Sequence, residues 1–166
     1  LLGLSFLVSA LIGRFDHVVA IIPLIVFFQP MVLGMSGNAG TQSLGVTVRS
    51  LSDGEDKKNK LNRIFKEIRI SLLNGILLAA ISFILLGLYI FLLKGEPLPT
   101  SATVSACISI ALIVSMTVSG FCGSAIPMLF EKIGVDPAAA SGPFITTLND
   151  LISALTYYGL ATILLL

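Results

Sequence analysis

The sequence predicts an all-α membrane protein with five transmembrane helices per protomer, and three observations carry that expectation. Of its 166 residues, 55% are hydrophobic and only 11% charged, with a mean hydropathy of +1.01. A soluble domain carries roughly 25% charged residues, and a globule of this size leaves too much surface in water to hide so many apolar groups. Second, the apolar residues come in long runs. Third, seven of the ten Lys and Arg residues fall between Arg49 and Arg69, the pattern of a topogenic loop.

A spanning helix needs about 20 mostly apolar residues. The first candidate, Leu1 to about Gly13, is short. The chain opens on Leu1 with no Met and no cleavable signal pattern, as a fragment starting where a membrane domain begins would. The second candidate, about Val18 to Val48, is longer than a bilayer requires, and Pro23 and Pro30 predict a tilt or kink. The third, about Ile70 to Leu93, is rich in Leu and Ile and ends before "KGEPLP". The fourth, about Thr103 to Phe130, is interrupted by "SGFCGSAIP", where Gly120, Gly123 and Pro127 predict a bend with close packing. The fifth runs from Pro137 or Ala138 to Leu166, with Pro137 suited to a helix start. Between the second and third lies "SLSDGEDKKNKLNRIFKEIR", a polar loop leading into an amphipathic helix.

Charge sets the orientation. Arg49, Lys57, Lys58, Lys60, Arg63, Lys66 and Arg69 place their loop in the cytoplasm. The "RFDH" and "KGEPLPTSA" loops are then outside and "EKIGVDP" inside, with the N-terminus cytoplasmic and the C-terminus outside. An odd number of spans without an internal repeat argues against one chain enclosing a symmetric pathway. A twofold pair does so more naturally. The basic loop also suits anionic headgroups, so the expected partners are a second copy and membrane lipid, with no nucleic acid.

Eight of the nine acidic residues, Glu67 among them, fall in loops or at span ends; Asp150 does not. It stands in "PFITTLNDLISALTYYG" with no Lys or Arg within two turns. A carboxylate at that depth costs several kcal/mol unless it faces water or a partner. A protonated, helix-bonded Asp is the bland reading, and a cation site in a wet cavity the functional one. Pro143, Thr146, Thr147, Asp150, Ser153, Ala154 and Tyr157 share one helical side. Thr hydroxyls can also bond back to their own helix, so the threonines alone say little.

The stretch "GMSGNAGTQ", residues 34–42, is as unusual. Gly34, Gly37, Asn38, Thr41 and Gly45 recur at helical spacing. Small residues so spaced let membrane helices pack closely, which accounts for the glycines but not for Asn38 and Gln42. Amides and bared carbonyls are hard oxygen donors that suit Mg²⁺ or Ca²⁺. Cys107 and Cys122 lack a CxxC spacing, His17 is a lone loop histidine, and no Ser-His-Asp set exists, so an enzyme is not expected.

Together "PMVLGMSGNAGTQSLGVTVRSL", the basic loop after it and "DPAAASGPFITTLNDLISALTYYGLA" resemble the MgtE family of magnesium channels and transporters, related to eukaryotic magnesium solute carriers. The resemblance covers essentially the whole chain, 1–166, as that family's ion-conducting membrane domain, without the N-domain and CBS pair many members carry. It implies a homodimer in a bacterial inner (plasma) membrane, with the ion path between the second and fifth spans of both protomers. It implies that Asp150 holds a hydrated Mg²⁺, the transported ion, with Mn²⁺ or Co²⁺ as other divalent cargo. The surrounding path maps onto Gly34, Gly37, Asn38, Thr41, Gly45, Ala139, Gly142 and Thr146. A proton- or Na⁺-coupled carrier and a non-transporting scaffold are the alternatives.

Overall fold

The computed structural model describes residues 2–54, 57–137 and 143–165, and every element among them is helical. In chain order these are α1 (Leu2–Ile12), a 3-10 turn (Gly13–Phe15), α2 (Asp16–Ile21), α3 (Leu24–Ser52), α4 (Lys57–Leu93), α5 (Leu98–Lys132) and α6 (Pro143–Leu165). Three of them, α4, α5 and α6, are long and apolar enough to cross a membrane. The polar stretch within α3 lowers its hydropathy despite its 29 residues, and α1 has only 11.

Proline explains where the second expected span departs from expectation. It is not continuous from Val18: Ile22 leaves the helical region (φ −131°, ψ 78°), and Pro23 stands ahead of α3. A residue before proline is pushed out of the α region because the proline ring crowds its backbone. Pro30, by contrast, sits inside α3 without ending it. The expected "RFDH" loop is the 3-10 turn and the start of α2. The third expected span is α4, into which the basic approach folds directly, making 37 residues of helix.

"SGFCGSAIP" does not interrupt α5, which runs unbroken from Leu98 to Lys132 with Pro127 inside it. Close packing does occur there. A Cβ on Gly120 would collide with the Ser71 hydroxyl of α4, and one on Gly123 with the Gly40 carbonyl of α3. α5 ends in a Schellman motif: Val135 N–H reaches Phe130 O at 2.9 Å and Gly134 N–H reaches Glu131 O at 3.1 Å. Gly134 takes φ 76°, a left-handed conformation that glycine adopts without a Cβ clash. Pro137 lies in a turn rather than a helix. Ala139 and Gly142 lie outside the described residues.

α5 is the hub, packing against α3, α4 and α6. The core gathers around it: Val104, Ile108, Ala111 and Leu112 of α5 meet Ile25 and Val32 of α3, Leu86 and Ile90 of α4, and Tyr157, Tyr158 and Ala161 of α6. Phe15 stacks on Tyr158 at 5.5 Å, tying the first helices to α6. α4 turns its other side outward: Leu77, Ile84 and Leu92 are 61%, 61% and 67% exposed, a surface whose solvent is lipid. Lys94 lies over the Phe27 ring at 4.9 Å, a cation–π contact suited to a membrane boundary.

Glycines in contact should tolerate nothing larger, while the open ones should. Gly123→Val should lower the detergent-solubilised melting temperature, at a cost of about 1–3 kcal/mol or more. Gly34→Ala, where a Cβ meets nothing within 4 Å, should leave that melt within about 0.5 kcal/mol of the parent.

Candidate functional site

α3 and α6 are pinned to each other by four contacts. Ser36 Oγ and Ser153 Oγ lie 2.6 Å apart. Gly40 abuts Asn149 so closely that a Cβ would collide with the amide. The Tyr158 hydroxyl donates to Gln29 Oε1 at 2.6 Å, and the Tyr157 hydroxyl donates to the Ile25 carbonyl at 2.6 Å. Numbers rise along α6 as they fall along α3, so the helices are antiparallel. Asp150 therefore lies level with the turn from Gly37 to Thr41.

Direction follows from the helical repeat. Successive residues are about 100° apart, and in an antiparallel pair the residue after each contact residue turns to the same flank. Gly37 follows Ser36, Thr41 follows Gly40, Asp150 follows Asn149, and Thr146 follows the buried Ile145. These four thus share one flank of the α3–α6 pair. Gly37 and Asp150 are half-buried there, and Thr41 and Thr146 are exposed. The Thr41 hydroxyl donates to its own helix, with Gly37 O at 3.0 Å and Asn38 O at 3.1 Å, leaving its lone pairs to face outward. Gly34 and Gly45 extend the stripe by one turn each way, both exposed. A Cβ on Gly34, Gly37 or Gly45 would meet nothing within 4 Å, so among the described residues these glycines pack against no other helix of the chain.

The α6 side expected to be polar divides along its length. Ser153, Ala154 and Tyr157 belong to the core at 0%, 2% and 0% exposure. Lower on the same face Asp150 is half-buried and Thr146 exposed. α6 carries no Lys, Arg or His, so no charge on its own helix balances the carboxylate. Among the described residues no three His, Cys, Asp or Glu side chains converge. This flank thus offers a single carboxylate among neutral oxygens, too few donors to replace the water of a small divalent ion.

Asn38 lies elsewhere. With Gln42 it lines a cavity of about 290 Å³ between α3 and α4, which Ser43, Glu67, Ser71 and Asn74 also border. Sequence reasoning missed three residues. Gly40 lies in the quoted stretch but off its stripe, Asn149 is wholly buried beside Asp150, and Glu67 is 5% exposed rather than in a loop. The signal for Gly40 and Asn149 was the small and polar residue next to each expected one. Nothing local distinguishes Glu67, flanked by Lys66 and Arg69.

A family model described as a divalent cation transporter, MgtE, matches residues 29–160. This chain belongs to the MgtE family. It is a family of transporters, not of enzymes, and with its apolar helices the chain is an integral membrane protein. Relatives include the magnesium transporter MgtE of Bacillus subtilis, 37% identical over 163 residues, which are 98% of this chain and 34% of that protein. The magnesium transporter MgtE of Enterococcus faecalis is 38% identical over 165 residues, 98% of this chain and 34% of its own length. That of Thermus thermophilus is 30% identical over 158 residues, 95% and 33% respectively. The chain thus spans about a third of the length of the MgtE relatives it matches.

The Ser36–Ser153 bond should be measurable as a coupling. Ser36→Ala and Ser153→Ala should each cost about 1 kcal/mol, and the double variant should cost clearly less than their sum. Additive losses in thermal melts would mean the two hydroxyls do not interact.

Proposed function

We propose that two copies of this chain form a magnesium-conducting membrane domain. Each copy contributes five spans, α1, α3, α4, α5 and α6, and the ion path runs between α3 and α6 of both. The observation that carries this reading is the half-buried Asp150 on an open flank, level with glycines where, among the described residues, a Cβ would meet nothing within 4 Å. A second copy placed against that flank encloses a path walled by small residues, hydroxyls and two carboxylates.

The chemistry follows from the ion. Mg²⁺ gives up water reluctantly and prefers to keep several of its six ligands as water. Two Asp150 carboxylates facing across a twofold axis balance a divalent charge and leave a monovalent one overcompensated. Thr41, Thr146 and backbone oxygens bared at Gly34, Gly37 and Gly45 accept hydrogen bonds from the water shell. The number and spacing of acceptors then set selectivity. Asn38, about 60° round α3 from Thr41, stands at the edge of the lining, and Ala139 and Gly142 join it on the family resemblance alone. Flux is passive, down the gradient and the membrane potential, through a bacterial inner membrane with the basic α3–α4 connection in the cytoplasm.

The test is Mg²⁺ uptake into liposomes containing the purified chain. Asp150→Asn should cut flux at least about tenfold, roughly 1.4 kcal/mol or more, while light scattering in detergent still reports a dimer. Unchanged uptake by the variant would exclude Asp150 as the ion's ligand, and a monomeric parent that still conducts would exclude the shared path.

A further inference from the structure

The second flank of α3 carries a site of its own. Glu67 of α4 is 5% exposed, and the Ser43 hydroxyl donates to its Oε2 at 2.9 Å. α3 and α4 otherwise meet directly very little, so this bond spans a gap. The gap is the cavity of about 290 Å³, bordered by Asn38, Gln42, Ser43, Glu67, Ser71 and Asn74, with Met116 of α5 also in its wall. At about 30 Å³ per water, that volume holds on the order of ten waters or a hydrated ion.

The lining is specific in kind. Glu67 is the one titratable group among its described residues, and no Lys, Arg or His borders it. Arg63, one turn earlier on α4, lines a different cavity with Arg49, Ser50 and Asp53. The remaining polar side chains are three amides and two hydroxyls, each with an oxygen to offer. A buried carboxylate is costly without a counter-charge, and amide, hydroxyl and carboxylate oxygens together suit hard cations rather than soft metals.

We propose that this cavity is a second cation site, built on Glu67 with Asn38, Gln42, Ser43, Ser71 and Asn74, for a hard cation that retains water. It is centred away from the Asp150 flank: Glu67, Ser71 and Asn74 belong to α4, and Asn38 and Gln42 stand about 100° round α3 from Gly37 and Thr41 respectively. Ser43 lies about one helical turn further along α3 than the level of Asp150, some 5–6 Å. A bound ion would join α3 to α4 across the gap, so its occupancy bears on how α3 is held. One carboxylate among neutral oxygens can serve a monovalent or a hydrated divalent ion, and the experiment separates them.

The test uses the full chain in detergent, on the Asp150→Asn background so that the first site does not contribute. Melting temperature is followed against Mg²⁺, Na⁺ and K⁺ separately, at constant ionic strength. At least one cation should raise it saturably, and the one that does identifies the class. Adding Glu67→Gln, which keeps an acceptor for Ser43, should abolish the response or raise the half-maximal concentration at least about tenfold. Asn74→Ala, at the cavity rim, should raise it several-fold without touching the buried carboxylate, and is read in place of Glu67→Gln if that variant does not fold. A background protein that responds to none of the three cations would overturn the proposal. So would a response undiminished by both cavity variants. Neither result bears on flux through Asp150.

Discussion

Everything in this bundle is referred to one crossing, where Gly123 of α5 presses on the backbone of Gly40 and Asn149 of α6 fills the space Gly40 leaves. In lipid, apolar side chains gain little by leaving one apolar surface for another, so helices hold together by close van der Waals approach and interhelical hydrogen bonds. A residue without a side chain is what makes such an approach possible. The crossing is buried: Ala39, Gly40 and Ser43 on α3 are all inaccessible, as are Ser119, Gly123 and Ser124 on α5. Shift α3 by one residue and the Ser36–Ser153 bond, the tyrosine bonds to Gln29 and Ile25, and the level of Asp150 all shift with it.

That constraint gives α3 three different sides. One is buried against α5 and α6 and consists of small residues. One is the open flank shared with Asp150, where glycine bares the backbone. The third faces the polar gap to α4 and Glu67. A helix so divided cannot be uniformly apolar, which is why α3 falls short in hydropathy while its neighbours do not. α4 shows the opposite case: its outer face of Leu, Ile and Phe needs no partner but lipid, while Glu67, Ser71 and Asn74 border the gap to α3.

The glycines of "GMSGNAGTQ" separate into two jobs that composition alone merges. Gly40 is a packing glycine, because Asn149 occupies the place of its Cβ and its carbonyl lies where a Cβ on Gly123 would stand. Gly34 and Gly37 are not, because among the described residues nothing lies within 4 Å of where their Cβ would stand. Asn38 and Thr41 stand only about 60° apart around α3, yet Asn38 also borders the gap to α4, so the stripe spans both. The polar run in α6 divides likewise, with Ser153 and Tyr157 holding α3 and Asp150 left at the margin.

Membrane class, helical content, family membership and the isolation of Asp150 on a chargeless helix were determined by the amino-acid sequence. Each rests on composition, run length or local spacing, which need no partner to be read. The break at Ile22 was half legible: Pro23 signalled a disturbance, but whether the chain bends or stops depends on what the flanking helices pack against. Only the tertiary structure decided that Gly40, not Gly34, carries the crossing, that Asn38 borders the gap to α4, and that Glu67 is buried. Those facts depend on which residues 24 to more than 100 positions apart meet, and on the antiparallel register that brings Asp150 level with Gly37 and Thr41. A periodic pattern gives the angle of each side chain about its own helix; the position of the neighbouring helix settles what that side chain meets.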